Sequence, residues 1–329
     1  MENPVLIEVT RGGRVESRHR GAVAVVDADG ATVLAIGDIG RPVFPRSAVK
    51  SMQALPLVES GGADRFGLTP AEIALCCASH GGEPAHVDTA RGILAKAGRD
   101  AAALECGAHW PSHEDSARAL ARNGAAPTPL HNNCSGKHSG FVCLACGMDV
   151  DPAGYIRPEH PAMREVTAAL SAVTGENLDA AEAGVDGCSI PSFAIPLASL
   201  ARGFARMGTG NGLPPARAAA ARRIREAVAA HPFNVAGTGR FDTRVMAALG
   251  ARVFCKTGAE AVHCAALPEQ GLGIALKIDD GTSRASQAAM AAVLARFLGE
   301  EAVLAERARP VLRNWNGIEV GAIRPTGVV

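Results

Sequence analysis

The sequence predicts an α+β fold, in which an antiparallel sheet is formed by both chain ends and a largely helical insertion lies between them. Short β-like runs at residues 5–9, 22–26 and 32–36 are separated by Gly and Asp turns. From residue 115 to about 230 the apolar residues recur mainly with helical spacing. Short apolar runs separated by glycine return between residues 253 and 278. We therefore expect strands from both ends of the chain to share one sheet.

Local signals define the elements in chain order. Pro45 marks the start of a helix expected over residues 46–57. Thr69 and Glu72 have the spacing of a capping box, which predicts a second helix ending near residue 78. Apolar periodicity predicts the remaining elements: helices over residues 163–173, 193–207 and 214–230, two or three strands between residues 253 and 278, and a terminal helix over residues 284–298 before an irregular tail.

The chain length allows one large domain or two closely packed lobes, because 329 residues can bury a full core. The element order predicts a single domain over residues 1–329. Its sheet lobe would span about 1–110 and 235–329, and its helical lobe about 111–234.

Composition excludes several classes of function. Basic and acidic residues number 33 each, so no overall field attracts nucleic acid or an anionic membrane surface. The first residues lack the apolar core of a signal peptide, and no stretch is apolar enough to span a membrane. Nine scattered cysteines do not resemble a disulfide framework. We expect a soluble cytoplasmic protein that acts on a small molecule.

Lysine is rare in this chain: of 33 basic residues only five are lysines, and the others are arginines. A lysine amine can lose its proton when it is desolvated, whereas a guanidinium cannot. Lysines retained in motif-like contexts are therefore candidates for catalysis. The five positions are Lys50, Lys96, Lys137, Lys256 and Lys277, and for Lys96 and Lys277 chance retention is the better interpretation.

Two short motifs combine a serine with lysines. Ser47 and Lys50 are three residues apart, so on a helix they share one face and the amine can activate the hydroxyl. Lys256, Thr257 and Gly258 lie in an expected strand. An S-x-x-K helix start followed by K-T-G on a strand is the arrangement of penicillin-binding proteins and class A β-lactamases. The presence of both motifs in this order favours a nucleophilic serine over the alternative that each motif is an unrelated turn.

Two further groups of polar residues are candidates. One group follows the end of an expected helix, and the other begins in a polar run near the middle of the chain. Ser79 and His80 precede a glycine pair, so either could act at a loop edge. From ligand preference alone, Cys134, His138 and Cys188 form a candidate zinc site. A phosphate-binding loop at Gly136–Lys137 is rejected, because the upstream glycine and the following Ser or Thr are missing.

Five motifs occur in a fixed order: FPRSAVKSMQ at residues 44–53, ASH at 78–80, NNCSGKH at 132–138, DGC at 186–188 and KTG at 256–258. Together they resemble the rhizobial-type (class 3) L-asparaginase family over nearly the whole chain, and NWNG at residues 314–317 also resembles that family. The family is related in fold to serine β-lactamases and glutaminases. The resemblance therefore implies a fold of that kind for this chain.

The resemblance also implies catalytic roles. Ser47 would be the nucleophile with Lys50 as its base, and Ser79 with Lys256 would form a second Ser-Lys pair beside it. The implied reaction is hydrolysis of L-asparagine to L-aspartate and ammonia. Cys255, next to the K-T-G lysine, receives no role.

Ligand roles follow from the same resemblance. Zinc would be bound by Cys134, Lys137 and Cys188. The Lys137 amine thus takes the place of His138 in the ligand set. His138 then becomes a residue for substrate recognition or support of the metal site. Asp186 would recognise the substrate α-ammonium.

Arg46 would pair with the substrate α-carboxylate. Zinc would position the substrate and would not activate water, and family members are commonly homodimers. The alternatives are a glutaminase, a serine amidohydrolase acting on β-lactams or D-amino-acid peptides, and a non-catalytic zinc protein that senses an amino acid.

Overall fold

The computed structural model describes residues 2–329. Its strands are β1 (Val5–Arg11), β2 (Arg14–Asp27), β3 (Thr32–Ile36), β4 (Pro42–Val43), β5 (Ala183–Val185), β6 (Pro191–Phe193), β7 (Ile195–Pro196), β8 (Phe254–Thr257), β9 (Val262–Leu267), β10 (Leu272–Ile278), β11 (Val311–Arg313) and β12 (Glu319–Pro325).

Its α-helices are α1 (Lys50–Gln53), α2 (Leu55–Glu59), α3 (Gly62–Arg65), α4 (Pro70–Cys76), α5 (Pro84–Lys96), α6 (Glu114–Arg122), α7 (Ser135–Gly147), α8 (Pro161–Thr174), α9 (Leu197–Thr209), α10 (Pro215–Ala230), α11 (Pro232–Ala236), α12 (Phe241–Leu249), α13 (Ser283–Leu298) and α14 (Ala302–Ala308). None of the helices within residues 2–329 is long and apolar enough to cross a membrane.

One eight-stranded sheet carries both chain ends. Its strands run in the order β11-β12-β1-β2-β10-β9-β8, and β3 pairs with β2 outside that path. All pairings are antiparallel. The predicted α+β class, with a sheet from both chain ends and a largely helical insertion, is confirmed. The division into two lobes stays a prediction.

Strand β2 is the centre of the sheet. Its first half pairs with β1 and its second half with β10 and β3. Residues 21–26 are all buried, which explains why this stretch reads as a continuous apolar run. Helix α9 packs on β10 so closely that a Cβ on Gly273 would lie 1.9 Å from the carbonyl oxygen of Ala201. Only glycine allows this approach of helix to strand.

Two predicted elements differ from the structure. The helix expected over residues 46–57 is divided into a 3₁₀ turn (Arg46–Val49), α1 and α2. The tail expected to be irregular contains α14 and two strands, and β12 pairs with β1. In contrast, the capping box at Thr69 and Glu72 is present at the start of α4.

Close backbone contacts bring the motif-bearing segments together. A Cβ on Gly258, just after β8, would lie 2.5 Å from the carbonyl oxygen of Pro45, so the K-T-G strand abuts the 3₁₀ turn that carries Ser47. A Cβ on Gly136, in the first turn of α7, would lie 2.3 Å from the carbonyl oxygen of Leu75 in α4. The two glycines therefore allow these elements to approach, and the polar residues of the motifs meet between them.

Candidate active site

Ser47 lies in a strained turn. The preceding residue, Arg46, has φ of 50°, in the left-handed region that non-glycine residues rarely adopt. Such a conformation costs about 1–3 kcal/mol and persists where surrounding structure enforces it, often at functional sites. Ser47 itself is half-buried, and Pro45 precedes the turn. The turn holds the Ser47 side chain at the wall of a cavity.

Lys50 is fully enclosed and points to Ser79. Its side chain is 1% exposed, and its Nζ donates to the carbonyl oxygen of Ala78 at 2.5 Å and to Ser79 Oγ at 2.9 Å. A longer bond of 3.5 Å reaches the carbonyl oxygen of Asn133. The hydrogen bonds among residues 2–329 include none between Lys50 and the Ser47 hydroxyl. The sequence pairs Lys50 with Ser47, whereas the structure gives Lys50 the other motif serine as its partner.

Lys256 approaches the same hydroxyl from strand β8. Its Nζ donates to Ser79 Oγ at 3.1 Å and to the carbonyl oxygen of Thr257 at 2.7 Å. The loop that carries Ser79 is itself fixed, because the Ser79 N–H donates to the carbonyl oxygen of Val235. One serine hydroxyl therefore lies between two buried lysine amines.

Burial makes both amines easier to deprotonate. It lowers the pKa of Lys256 to about 8, against the opposing effect of the Asp242 carboxylate, and the nearby charge of Lys50 lowers it further. Burial also lowers the pKa of Lys50, and the Lys137 charge adds to the effect. Two ammonium groups around one hydroxyl repel each other, so this arrangement favours loss of a proton from one of them.

A small cavity opens beside Ser47, Lys50 and Lys137. Arg46 and Asp186 line it and pair with each other, with Arg46 Nε donating to Asp186 Oδ2 at 2.5 Å and Nη2 to Oδ1 at 3.3 Å. Burial raises the pKa of Asp186, but the Arg46 hydrogen bond and the charges of Lys137 and Arg46 together outweigh burial, so the net pKa is lowered. The cavity thus presents a guanidinium and a carboxylate side by side.

Three buried side chains form the predicted zinc-binding set. Lys137 Nζ lies 3.0 Å from Cys188 Sγ, and Cys134 is the residue that caps α7 directly before it. The neighbouring Cys188 thiol and the charges of Lys50 and Lys137 lower the pKa of Cys134 and favour its thiolate form. Two sulfurs and one nitrogen suit zinc, provided that the amine is neutral when it binds the metal. The donor set therefore fits the ion that the resemblance implies.

A second group of possible ligands lies behind strand β8. Asp242, Cys255 and His263 are all buried, and their donor atoms lie within 4.8 Å of one another. The Asp242 carboxylate already accepts hydrogen bonds from Thr257 and His263. Sequence analysis missed Asp242 and His263, because neither lies in a recognisable motif.

His138 lies in the core. It is 0% exposed, and its Nδ1 is 2.6 Å from the hydroxyl of Tyr155, which in turn accepts from the N–H of Glu105. Burial lowers the pKa of His138 well below its ordinary value, so the ring is neutral. His138 is not among the residues that line the cavity at Ser47, and its predicted role in substrate recognition stays a prediction.

Comparisons with solved structures give distant likenesses. A β-lactamase from Mycobacterium bovis is 15% identical, with a TM-score of 0.41, over 84% of this chain and 94% of that chain. A protein named Mglu is 18% identical, with a TM-score of 0.37, over 85% of this chain and 67% of that chain. A comparison with curated protein sequences gives no significant match.

The family comparison is far more extensive. The model of the L-asparaginase II family matches residues 7–325. This span includes every motif residue described above and all strands of the large sheet except the first residues of β1. The chain therefore belongs to the L-asparaginase II family and is an amidohydrolase of the asparaginase type.

Proposed function

We propose that this protein is an L-asparaginase, which hydrolyses L-asparagine to L-aspartate and ammonia through serine and lysine side chains. The observation that supports it best is the position of Ser79 Oγ, within hydrogen-bonding distance of two buried lysine amines. Beside these amines lies a cavity lined by Ser47 and by the ion pair of Arg46 and Asp186.

Ser47 is the proposed nucleophile, because it lines the cavity together with Lys50, whereas Ser79 is not among the lining residues. Ser47 and Lys50 are one helical turn apart, which keeps the amine within reach. In many enzymes the hydrogen bonds between catalytic groups tighten only in the substrate complex. Ser79 then serves as the hydroxyl that connects the Lys50 and Lys256 amines.

The surroundings of Lys50 suit a base that changes its protonation state. As an ammonium it donates to two carbonyl oxygens and to Ser79 Oγ. As a neutral amine it keeps the two carbonyl bonds and accepts a hydrogen bond from the Ser79 hydroxyl instead. Neither form leaves an unpaired donor in the interior, so proton exchange needs no rearrangement of the fold.

The proposed reaction has two halves. Ser47 Oγ bonds to the side-chain amide carbon and its proton passes to a lysine amine. The C–N bond breaks, and the leaving nitrogen takes a proton from the lysine and departs as ammonia. Water then adds to the β-aspartyl ester and gives a proton to the amine. Ser47 Oγ leaves with that proton, and L-aspartate is released.

Substrate selection is proposed to rest on the ion pair in the cavity. The α-carboxylate of an amino acid matches the Arg46 guanidinium, and the α-ammonium matches the Asp186 carboxylate. Each charge of the ligand would therefore meet the opposite charge of the protein. His138, whose buried Nε2 has no partner among the described residues, is proposed to recognise the substrate or to support the metal site, as the resemblance implies.

Zinc is proposed to be held by Cys134, Lys137 and Cys188. When bound there, it supplies a fixed positive charge beside the cavity that can orient a carboxylate or carbonyl group. The chemistry above is assigned to the serines and lysines alone. The cytoplasmic location and the homodimer implied by the resemblance stay predictions.

Ammonia release from L-asparagine and L-glutamine tests this function. Wild-type protein is expected to prefer asparagine, and Ser47→Ala is expected to lose turnover by roughly a thousandfold or more. An acyl adduct trapped on Ser79 would leave the function intact and assign the nucleophile to the other serine. No release from either amide, with asparagine still raising the melting temperature, would favour the amino-acid sensor.

A further inference from the structure

Asp242, in the first turn of α12, is a buried carboxylate outside the five motifs. It is 2% exposed and faces strands β8 and β9. Its Oδ2 accepts from the Thr257 N–H at 2.8 Å, and its Oδ1 accepts from the Thr257 hydroxyl at 2.7 Å and from His263 Nε2 at 3.1 Å. The thiol of Cys255 lies 3.9 Å from the same Oδ1.

These contacts are more typical of a carboxylate that is saturated with hydrogen-bond donors than of a metal site. The Cys255 thiol lies where it can donate to Asp242 Oδ1, which adds one more donor to the carboxylate. A metal ion at Asp242 would compete with the two hydrogen bonds from Thr257, whose loss is costly in a dry interior. The cluster is therefore built to hold a carboxylate in place.

What the carboxylate holds is the peptide unit next to Lys256. Asp242 fixes the N–H and the hydroxyl of Thr257, and Lys256 Nζ donates to the carbonyl oxygen of the same Thr257. Thr257 is thus fixed at both its amide nitrogen and its carbonyl oxygen. The position of that carbonyl sets where the Lys256 amine lies when it reaches Ser79.

We propose that Asp242 is a positioning residue, which anchors Thr257 in strand β8 and thereby aims the Lys256 amine at Ser79. This inference rests on the proposed function, because Lys256 matters only if the Ser-Lys network is catalytic. Asp242 touches neither the serines nor the cavity residues, so its effect is exerted through Thr257. Cys255 and His263 provide the remaining hydrogen-bond donors around the carboxylate.

The charge of Asp242 adds a direct electrostatic effect on Lys256 to the effect exerted through Thr257. A buried carboxylate near Lys256 favours the ammonium form and opposes the effect of burial on the Lys256 pKa. Removing the charge while keeping the shape should therefore lower the Lys256 pKa further. The other groups that face Lys256 are the charges of Lys50, Arg240 and Cys134 and the buried thiols of Cys77 and Cys264.

The chain offers a closely matched control. Glu83, 8% exposed, accepts from the Thr238 N–H at 2.8 Å and from the Thr238 hydroxyl at 2.7 Å. This is the same pattern of two bonds to one threonine as at Asp242. The Glu83 side chain makes no hydrogen bond to a catalytic lysine within residues 2–329, so Glu83→Gln removes an equivalent carboxylate charge away from Lys256.

The experiment measures the Lys256 titration directly. With only five lysines in the chain, isotope-labelled lysine side chains can be resolved by NMR and assigned with Lys→Met variants. Asp242→Asn is expected to lower the Lys256 pKa by roughly one pH unit or more. It is also expected to lower kcat by about tenfold or more, with KM changed far less. Glu83→Gln is expected to keep the Lys256 pKa at the wild-type value.

Two results would overturn the inference. One is a Lys256 pKa in Asp242→Asn equal to that of the wild type. The other is a loss of kcat no greater than in Glu83→Gln. If wild-type protein releases no ammonia from either amide, the proposed function fails, whereas the NMR titration still decides whether Asp242 controls Lys256.

A milder substitution keeps the inference testable if the Asp242→Asn variant does not fold. Thr257→Val removes one hydrogen bond to Asp242 and keeps the carboxylate charge. It is expected to lower kcat by several-fold with a Lys256 pKa near the wild-type value. Unchanged kcat in this variant would show that the Thr257 anchor does not position the amine.

Discussion

Lysine cannot be replaced by arginine at positions 50 and 256 if these amines transfer protons. A guanidinium keeps the positive charge and stays protonated, so Lys50→Arg and Lys256→Arg are each expected to lower kcat by at least about a hundredfold. Steady-state ammonia release measures this. Lys96→Arg is the control, because Lys96 pairs with Glu72 away from the cavity. Near-normal turnover in Lys256→Arg would mean that only its charge is required.

The stability of the protein should depend on pH through Lys256. Its pKa is about 8 in the folded protein against 10.5 for an ordinary lysine, so between these pH values the unfolded chain binds more protons than the folded one. The free energy of unfolding therefore rises with pH in this window, by an amount on the order of 3 kcal/mol. Below pH 8 the cost of burying the charge is fully present.

Denaturant unfolding of wild type and Lys256→Met between pH 7.5 and about 10 measures this contribution. As pH rises, the unfolding free energy of the wild type should increase relative to that of Lys256→Met. Lys96→Met controls for general effects of alkaline pH. A difference that stays constant across the window would show that the pKa of Lys256 is the same in both states.

Zinc content distinguishes the two groups of possible ligands. Metal analysis of the purified protein is expected to give about one zinc per chain. Cys188→Ser is expected to lose it, because the substitution removes one of two sulfur ligands. Cys255→Ser is expected to retain it, since that thiol donates to Asp242. The opposite pattern would move the metal to the group around Asp242.

Most residues of the candidate site could be predicted from sequence motifs, but their pairing could not. Ser47 and Lys50 are local neighbours, so helical spacing pairs them. The contact between Lys50 and Ser79 depends on how α1 packs against the loop after α4, which no local pattern contains. Asp242 carries no motif at all, and its role follows only from the approach of α12 to β8.

At the scale of elements, the site depends on close approach of β8 to the 3₁₀ turn at Ser47. Gly258→Ala would place a Cβ 2.5 Å from the carbonyl oxygen of Pro45, so the strand or the turn must shift. We expect about 1–3 kcal/mol of destabilisation and a loss of turnover larger than the loss of stability explains.

Thermal unfolding and ammonia release measured on the same sample check this prediction. Gly327→Ala is the control, because a Cβ there meets nothing within 4 Å and should change neither quantity. Full activity in Gly258→Ala would show that the close contact is not needed to align Lys256 with Ser79.

The elements with strong local signals were predicted, and those set by tertiary contacts were not. The capping box at Thr69 is a purely local device and is present. The helix expected over residues 46–57 is divided, and its first residue, Arg46, adopts a positive φ that helical periodicity does not reveal. The short strands β11 and β12 carry a weak alternation and become strands by pairing with each other and with β1.

At the scale of the whole molecule, β12 closes one side of the sheet. It pairs with β1 through Ile7, Glu8 and Val9, and its Ile323 is 3% exposed. Deleting residues 310–329 would leave β1 with an unpaired apolar edge, which favours aggregation. We expect a melting temperature lower by at least about 10 °C, because many buried contacts are lost together.

A change at the exposed end of the same hairpin is the control for this deletion. The Trp315 side chain is fully exposed, so Trp315→Ser should change the unfolding free energy by no more than about 0.5 kcal/mol. Differential scanning calorimetry on both variants compares the two effects. A deletion variant as stable as Trp315→Ser would show that β12 contributes little to the sheet.

The pairing of Ile7 with Pro325 also determines when activity can arise during synthesis. While the chain leaves the ribosome, β1 stays without its partner strand β12, which is translated more than three hundred residues later. Ser47 and Ser79 are made early, but Lys256 and the β8 strand that carries it follow some two hundred residues later. The catalytic groups of a nascent chain are therefore incomplete until β8 has been translated, and the sheet is complete only after β12 has left the ribosome.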